Sequence, residues 1–467
     1  MFQKTGAGFD VIIVGAGPAG IFCAYELKQL KPDLDILILE KGKRRPIDDK
    51  NNNLFGFGGA GAFSDGKLTL TSKTGGQLTE KNEKGEYEYL TPEGFNELLR
   101  YVESLYEKFG GKQELKIGKN AEIAALIRRA NAVGLELIPY PLKHWGREGA
   151  YKLVEGLFEY LKKSGVQIRL SSEVISIERE GAKFGPASPQ KWQVFLRGGE
   201  MFLGNSLVLA TGRAGADWTV QELKKHGVKT GNNPADVGVR MEVKKSMIED
   251  LTDNLYDFKL IYLTPKRRDR VRTFCVCPAG RVVKEQHSDF TAVNGQTDKN
   301  DQTENTNFAI LVSASFTEPF KDANAFGRDI ARLGTLLSNG SVLVQTLSDW
   351  QNERRSKPQS LKNFPVISTL PDAAPGDLRL ALPERIFAGI NEIIEAMGKF
   401  IPGLNNGNNA LLYGVEVKFY SRKVVFKKGF ETSAGGLYVV GDGSGVTRGL
   451  AQSSIMGVKA AREIVKN

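Results

Sequence analysis

A glycine loop between an apolar strand and a helix constrains the fold of this chain more than any other feature. Residues 9–14 (FDVIIV) are apolar except for Asp10 and predict a buried strand, residues 18–30 predict a helix, and residues 35–40 predict a second strand. The turn between the first strand and the helix has GxGxxG spacing, formed by Gly15, Gly17 and Gly20. A strand, tight turn, helix and strand within about 30 residues predict the βαβ unit of a Rossmann-like dinucleotide-binding domain.

Each of the three glycines has its own physical reason. The first permits the tight turn, the second lets backbone approach a pyrophosphate, and the third allows close packing of helix on strand. The helix start at Pro18 and Ala19 then offers N–H groups and a positive partial charge to the phosphates. Glu40 ends the second strand, where its carboxylate can accept hydrogen bonds from ribose hydroxyls. This carboxylate disfavours a 2′-phosphate, so NADP is not expected in this pocket.

The far end of the chain favours FAD over NAD. The segment LYVVGDGSG at 437–445 resembles the C-terminal strand–Gly–Asp element of two-domain flavoproteins, in which the aspartate accepts a hydrogen bond from the flavin ribitol; that residue is Asp442 here. A second flavoprotein element, an apolar strand ending in Ala-Thr-Gly, appears at 206–213. The helix that follows Arg448 is expected to direct its N–H groups towards the flavin pyrimidine.

Several segments add a family resemblance. GFGGAGAFSDGKL at 56–68, KHWG at 143–146 and TFCVCPAGRVV at 273–283 resemble a family of FAD-dependent dehydrogenases within the two-dinucleotide-binding-domain flavoprotein superfamily. The second segment departs from the family pattern His-Ile-Gly-Thr-Asp, because Arg147 and Glu148 replace the last two residues. The resemblance implies FAD and redox chemistry and names no substrate.

These motifs define a set of predicted site residues. The FAD-binding residues are expected to be Gly15, Gly17, Pro18, Ala19, Gly20, Glu40, Lys41, Gly59, Ala60, Ser64, Val174, Thr211, Gly212, Gly441, Asp442, Gly449 and Leu450. The candidate catalytic residues are His144, Ser64, Lys67 and Cys275. His144 is the candidate acid–base group, Ser64 and Lys67 are candidate hydrogen-bond donors, and Cys275 is a candidate thiol near the flavin. The three cysteines match no zinc spacing, and no metal is expected.

The predicted fold class is α/β. A Rossmann-like FAD-binding domain, with a central parallel sheet and a β-meander as in glutathione-reductase-type flavoproteins, is expected to combine residues 1–215 with residues 431–467 and to carry a helical insert at about 90–150. Residues 216–430 are expected to form an α+β substrate or cap domain. Within it, the polar segment 294–307 predicts a mobile loop.

The sequence therefore predicts an FAD-dependent oxidoreductase that transfers a hydride between FAD and a small-molecule substrate. No second GxGxxG follows a strand, so NAD(P)H would bind transiently, or the substrate or a protein donor would reduce the flavin. The alternatives are a flavin monooxygenase, an RNA-modifying flavoprotein and a non-catalytic binding protein on the same fold. The oligomeric state stays open.

Charge and composition bear on partners and location. The net charge of +10 comes from scattered basic residues with short clusters at 41–45 and 265–270, without the interleaved aromatic residues of a nucleic-acid surface. Nucleic acid is therefore disfavoured as a partner. No apolar run approaches the length of a membrane-spanning helix, and no export signal precedes the first strand, so we expect a cytoplasmic protein without a membrane partner.

Overall fold

The computed structural model describes residues 3–4, 8–44, 55–62, 66–180, 191–287, 289–297 and 301–466. The chain divides into two compact units. The first unit comprises Met1–Leu115, Leu142–Asn233 and Ser421–Asn467. The second unit comprises Lys116–Pro141 and Pro234–Tyr420.

The strands are numbered along the chain. They are β1 (Gln3–Lys4), β2 (Phe9–Val14), β3 (Ile36–Leu39), β4 (Lys67–Thr69), β5 (Leu115–Lys116), β6 (Leu135–Ile138), β7 (Leu142–His144), β8 (Gln167–Arg169), β9 (Val174–Arg179), β10 (Trp192–Leu196), β11 (Glu200–Leu209), β12 (Thr230–Gly231), β13 (Ala235–Lys244), β14 (Lys259–Leu263), β15 (Arg270–Cys277), β16 (Arg281–Gln286), β17 (Thr291–Gln296), β18 (Asn305–Ala314), β19 (Leu343–Thr346), β20 (Ala374–Pro375), β21 (Ala410–Lys418), β22 (Lys423–Val424) and β23 (Leu437–Val439).

The helices are numbered in the same way. They are α1 (Pro18–Leu30), α2 (Gly59–Ala62), α3 (Pro92–Gly110), α4 (Asn120–Ala132), α5 (Gly146–Lys163), α6 (Ala216–Lys225), α7 (Glu249–Leu255), α8 (Ala323–Leu337), α9 (Leu347–Gln351), α10 (Pro358–Lys362), α11 (Glu384–Phe400) and α12 (Leu450–Ile464). Short 3-10 turns cover Arg213–Gly215, Lys245–Met247, Leu378–Leu380 and Asp442–Ser444.

The first unit is built on a sheet with the strand order β8-β3-β2-β11-β10-β9. The strands β8, β3, β2 and β11 are parallel, and β23 adds to β11 in parallel at Leu207–Leu209. The strands β9, β10 and β11 are antiparallel and form the β-meander. The central parallel strands β2 and β3 are apolar except for Asp10, because both faces of the sheet are covered there, as is usual for parallel sheets. This sheet confirms the predicted Rossmann-like domain with its meander.

The N-terminal and C-terminal helices of the first unit pack directly against each other. A Cβ atom added at Gly457 in α12 would lie 2.1 Å from the carbonyl oxygen of Ala19 in α1. Only glycine permits this approach of the two helix backbones. The two ends of the chain therefore share one hydrophobic core, to which Ala19, Ile455 and Met456 contribute.

The second unit contains a sheet with the order β20-β19-β21-β13-β18-β15-β14-β6. Its pairings are antiparallel except for β19 with β20. Helix α11 covers one face, since a Cβ atom at Gly389 would lie 3.3 Å from the side chains of Val271 and Val312. Because strand residues alternate between faces, the neighbours of these valines point to the other face of the sheet. The second unit has the predicted α+β architecture.

That other face of the sheet carries a fully buried ion pair. The Nε and Nη2 atoms of Arg240 on β13 each donate to an oxygen of Glu416 on β21 at 2.8 Å, and neither side chain is exposed. Such a bidentate pair offsets the cost of removing both charges from water. The pKa of Arg240 lies above its ordinary value because attraction to Glu416 outweighs the opposing effect of burial.

Most local elements agree with the sequence-based expectations. The first strand and helix have the predicted bounds, and the predicted helical insert begins with α3 (Pro92–Gly110). The predicted mobile loop at 294–307 is wrong at both ends, because its first residues pair in β17 and its last residues pair in β18. In the described part of the chain, no helix is both long enough and apolar enough to cross a bilayer.

The bounds of the compact units differ from the predicted domain bounds. Residues 116–141, expected within the helical insert of the FAD-binding domain, lie in the second unit because β6 pairs with β14. Residues 216–233 and 421–430, expected in the second domain, lie in the first unit. The assignment of substrate binding to the second unit stays a prediction.

Candidate functional site

The glycine loop is packed so tightly that side chains are excluded at two of its three glycines. Gly15 has a φ of +105°, and a Cβ atom there would lie 2.4 Å from the carbonyl oxygen of Ala210. A Cβ atom at Gly20 would lie 2.2 Å from the carbonyl oxygen of Gly15. These contacts are the tight turn and the close helix–strand packing that the spacing predicts.

Gly17 is different, because its surroundings are open. A Cβ atom at this position would meet no described atom within 4 Å. Gly17 also precedes α1, which begins at Pro18 without a side-chain cap and without an acidic residue in its first turn. An open glycine at an uncapped helix N-terminus fits a phosphate group, since the backbone N–H groups and the helix dipole favour an anion.

Glu40 fixes the shape of this loop through its carboxylate. Oε2 accepts a hydrogen bond from the N–H of Ala16 at 2.9 Å, and Oε1 accepts from the N–H groups of Gly42 at 2.8 Å and Gly56 at 2.9 Å. The sequence analysis missed these backbone bonds. Each carboxylate oxygen has two acceptor positions, so Oε2 retains the capacity to accept one further hydrogen bond. The predicted bond from Glu40 to a ribose hydroxyl is compatible with this arrangement and stays a prediction.

The segment that begins at Phe55 covers the glycine loop. The N–H of Gly58 donates to the carbonyl oxygen of Ala16 at 2.7 Å. Gly59 has a φ of +53°, and a Cβ atom there would lie 3.0 Å from the Cα of Gly17. This placement puts Gly59 beside the open glycine, whereas Ala60 is exposed; the binding of FAD by both residues stays a prediction.

Three further predicted cofactor-binding residues have different surroundings. Lys41 is exposed, and its Nζ lies 3.5 Å from the centre of the Phe55 ring. Val174 begins β9 and is buried in a cluster with Val14 and Leu39, at the ends of β2 and β3. Ser64 lies outside the described residues.

The flavoprotein elements from the middle and the end of the chain meet the glycine loop. A Cβ atom at Gly441, which has a φ of +74°, would lie 2.8 Å from the Cβ of Ala19. A Cβ atom at Gly443 would lie 3.0 Å from both the Oγ1 of Thr211 and the carbonyl oxygen of Gly212. The structure therefore brings together three motifs that are far apart in the sequence.

Asp442 lies at the centre of this junction. Its Oδ1 accepts hydrogen bonds from the hydroxyl groups of Thr447 at 3.1 Å and Ser453 at 2.8 Å. Its Oδ2 lies 3.7 Å from the Nε of Arg213, and its side chain remains 21% exposed. Burial raises the pKa of Asp442 above its ordinary value, and the nearby Arg213 partly opposes this rise. The carboxylate is therefore oriented, incompletely compensated and accessible to a hydrogen-bond donor.

The start of α12 borders the same loop. Gly449 is the N-terminal cap of this helix, again without a side-chain cap. A Cβ atom at Gly61 would lie 2.8 Å from the Cγ of Pro18 and 3.0 Å from the Cδ2 of Leu450. The predicted residues Gly449 and Leu450 thus lie where α2 and the start of α1 meet.

Two of the candidate catalytic residues are cross-strand neighbours. Lys67 on β4 pairs directly with His144 on β7, so their side chains share one face of the small sheet. His144 is 5% exposed and Lys67 is half-buried. Cys275 belongs to the second unit, where it lies half-buried at a β-bulge with a φ of +49°. The structure therefore groups His144 with Lys67 and leaves Cys275 in the other unit.

An apolar cavity connects the His144 segment to the glycine loop. Its lining residues come from both regions and from α3 and α5, and they are Pro18, Ile21, Phe22, Gly58, Gly61, Gly66, Tyr106, Trp145, Ala150, Leu153, Val154, Leu157 and Leu450. Trp145 follows His144, and its backbone N–H donates to the carbonyl oxygen of Gly66 at 3.1 Å. The predicted catalytic pair thus adjoins the wall of the predicted cofactor site.

The sequence analysis also missed residues around Asp442. Arg213 directly follows the Ala-Thr-Gly element, and this adjacency was the available signal for it. Thr447 and Ser453 carry no sequence signal of their own, because their hydrogen bonds to Asp442 depend on the fold of the last turn and helix.

Two family models match the chain. Residues 234–419 match "FAD-dependent protein, C-terminal domain-like", and residues 13–45 match "NAD(P)-binding Rossmann-like domain". An uncharacterized protein of Clostridium beijerinckii is 25% identical over 497 aligned positions, which cover 97% of this chain and 80% of that protein. A segment of 33 residues is 61% identical to thiamine thiazole synthase of Coprinopsis cinerea, covering 7% of this chain and 10% of that enzyme.

Solved structures resemble nearly the whole chain at low identity. Glycine oxidase from Geobacillus kaustophilus is 13% identical with a TM-score of 0.40, covering 99% of this chain and 96% of that one. L-Proline dehydrogenase from P. horikoshii is 12% identical with a TM-score of 0.40, covering 99% of this chain and 94% of that one. Likeness at this level bears on neither the substrate nor the reaction of this chain.

The fold and the glycine loop define a Rossmann-like dinucleotide-binding protein, and the match at residues 13–45 agrees with this class. The FAD-dependent C-terminal domain at residues 234–419 specifies the cofactor as FAD. FAD is a redox cofactor, so the chemistry that it would supply to this chain is oxidation and reduction.

Replacing the glycines separates cofactor binding from folding. Gly17→Ala should weaken FAD binding about tenfold or more, because the new methyl group enters the open space predicted for the pyrophosphate. Gly20→Ala should lower the free energy of unfolding by about 1–3 kcal/mol, because its Cβ would overlap the Gly15 carbonyl. FAD titration and urea unfolding measure the two effects.

The matched control is Gly198→Ala, at a glycine that also has no described neighbour within 4 Å of an added Cβ. This control should keep the wild-type affinity for FAD. A Gly17→Ala protein that binds FAD as the wild type does would refute the predicted position of the pyrophosphate.

Asp442→Asn should weaken FAD binding by about tenfold or more, because a charged hydrogen-bond acceptor is lost. It should not destabilise the apoprotein at neutral pH. Folding raises the pKa of Asp442, so the folded state binds a proton at this carboxyl more tightly than the unfolded state does. The protonated carboxyl therefore stabilises the folded state at low pH, and this stabilisation is lost as pH rises through the folded pKa. The stability of the variant relative to wild type should therefore increase from about pH 4, near the ordinary pKa of aspartate, to pH 7.

Thermal unfolding of the apoproteins across this pH range, together with FAD titration, provides the measurement. Asp33→Asn, at an exposed aspartate, serves as the control and should not change the affinity for FAD. Unchanged FAD affinity in Asp442→Asn would contradict the role assigned to this carboxylate.

Proposed function

We propose that this protein is a dehydrogenase or reductase in which the first unit holds FAD and a small-molecule substrate exchanges a hydride with it. The observation that supports this proposal best is the convergence on α1. The glycine loop, the Thr211–Gly212 turn and Asp442 are separated along the chain, yet Gly441 packs against Ala19 and Gly443 packs against Thr211. This arrangement offers one site to the two halves of a dinucleotide.

Each element has a separate part in holding the cofactor. The backbone at Gly17 and the start of α1 would bind the pyrophosphate, and the remaining acceptor position on Glu40 would bind the ribose. The carboxylate of Asp442, oriented by Thr447 and Ser453, would accept a hydrogen bond from the ribitol. Bound FAD supplies the hydride chemistry.

His144 is the residue that we propose for proton transfer. Its ring is buried on β7 directly opposite Lys67, and the next residue, Trp145, lines the cavity shared with Pro18 and Leu450. Histidine is the side chain most often used for proton transfer near neutral pH. Ser64 and Cys275 stay predictions, as does the role of the second unit in binding substrate.

The chain has a single GxGxxG loop that follows a strand, and this loop does not identify the compound that reduces the flavin. NADH and NADPH are therefore tested together with amino acids and 2-hydroxy acids as anaerobic reductants of the purified yellow protein. At least one of these compounds should bleach the flavin absorption. His144→Gln should slow this bleaching by a factor of about 100 or more, as expected for loss of a general acid or base, without loss of FAD.

His226→Gln is the matched control, because this histidine ends α6 and its Nε2 lies 3.1 Å from the carbonyl oxygen of Ile177. It should retain the wild-type rate. A colourless protein would favour a binding function on the same fold. A hydroxylated product formed in air would favour a monooxygenase. Equal rates in both histidine variants would show that His144 does not transfer the proton.

A further inference from the structure

The apolar cavity beside the glycine loop lies between helix faces that do not fill the space where they meet. One wall is a single face of α5, formed by the i, i+3, i+4 and i+7 residues Ala150, Leu153, Val154 and Leu157. Another wall is a face of α1, formed by the i, i+3 and i+4 residues Pro18, Ile21 and Phe22. All described lining residues belong to the first unit. The cavity is therefore a feature of the core of that unit.

Three glycines explain why the space stays open. Gly58, Gly61 and Gly66 all line the cavity and have no side chain to place in it. A Cβ atom at Gly61 would lie 2.8 Å from the Cγ of Pro18. Gly66 has a φ of +69°, and a Cβ atom there would lie 3.1 Å from the Cβ of Trp145. These contacts and this backbone conformation disfavour larger residues, so the wall formed by the glycines cannot fill the cavity.

The lining suits an apolar molecule better than water. Of the described lining residues, only Tyr106 and Trp145 carry polar side-chain atoms. The hydroxyl of Tyr106 forms a hydrogen bond with the Oγ of Ser454 at 3.3 Å, and the Nε1 of Trp145 donates to the carbonyl oxygen of Gly111 at 2.8 Å. Both polar side chains therefore already have a partner. A buried water needs about two to four polar partners, and an apolar cavity stays dry without them.

The size of the cavity limits its occupant to very few atoms. Its free volume is about 20 Å³. A single water-sized molecule needs about 10–15 Å³ on the same measure. The space is therefore sufficient for a diatomic molecule and too small for an organic substrate.

The position of the cavity connects it with the predicted cofactor site. Pro18 and Leu450, the first residues of α1 and α12, both line it. The start of α1 is expected to bind the pyrophosphate, and the start of α12 is expected to face the flavin pyrimidine. A small apolar molecule in the cavity would thus lie next to a cofactor that can react with O₂.

We propose that this cavity holds molecular oxygen, and that O₂ is the electron acceptor that returns the reduced flavin to its oxidised state. O₂ is apolar and diatomic, as the lining and the volume require. It takes two electrons and two protons from the reduced flavin, so that two N–H bonds break and the two O–H bonds of hydrogen peroxide form. The role of O₂ as the acceptor rests on the proposed function, because the substrate must first reduce the flavin, whereas the gas site does not depend on it.

Crystals of the FAD-loaded protein pressurised with xenon test the gas site, because xenon enters dry apolar cavities. A xenon atom should lie within about 4.5 Å of the side chains of Phe22 and Leu157. Leu157→Phe should abolish this xenon site, because the larger ring fills the cavity. Leu161→Phe makes the same change one turn further along α5, at a buried residue outside the lining, and should keep the xenon site. Ala150→Val fills less of the space and should lower the xenon occupancy.

The reaction of the reduced flavin with O₂ tests the second part of the proposal. Each protein is photoreduced without air and then mixed with air-saturated buffer, and the return of the flavin absorption is followed. Leu157→Phe should slow this return severalfold relative to wild type. Leu161→Phe should reoxidise at the wild-type rate, and hydrogen peroxide should form in an amount equal to the flavin.

Wild-type crystals without xenon in the cavity, or with an ordered water there, would overturn the gas site. A xenon site that persists in Leu157→Phe would overturn it as well. If xenon binds as expected but the wild type and Leu157→Phe reoxidise at equal rates, the gas site stands and its link to the flavin fails. A protein that takes up xenon in this cavity but binds no FAD would contradict the proposed function alone.

Discussion

The close approach of the glycine loop to the end of β11 is the contact on which the first unit depends. Gly15 lies against the backbone of Ala210, and the N–H of Ala210 donates to the carbonyl oxygen of Val14 at 2.8 Å. The N–H of Val440 then donates to the carbonyl oxygen of Leu209 at 2.9 Å, which attaches the last strand to the same point. Because these bonds fix the strand ends, Asp442 is held beside the start of α1.

The parts of the fold that follow from local sequence were predictable. The strand at 9–14, which is apolar except for Asp10, and the start of α1 at Pro18 depend on neighbouring residues only, and their bounds are as expected. The glycine spacing also carries its own geometry, since the contacts at Gly15 and Gly20 are those the motif requires. The convergence of the FAD elements was predictable only because two of them resemble known flavoprotein segments.

Features that depend on distant pairing were not predictable. Residues 116–141 were expected in the first domain because nothing in their sequence shows that β6 pairs with β14. The polar composition of 294–307 predicted a loop, although both ends of this segment lie in strands. Asn307, for example, is polar and yet buried in β18, because its side-chain oxygen accepts a hydrogen bond from Arg240 of the buried ion pair.

The central claim is that one flavin nucleotide spans the glycine loop and Asp442. A crystal structure of the FAD-loaded protein tests it most directly through two distances. The account predicts that pyrophosphate oxygens lie within about 3.2 Å of backbone nitrogens near Gly17, and that a ribitol hydroxyl of the same molecule lies within about 3.0 Å of the Asp442 carboxylate. A flavin nucleotide bound elsewhere, or touching only one of these two groups, would contradict it.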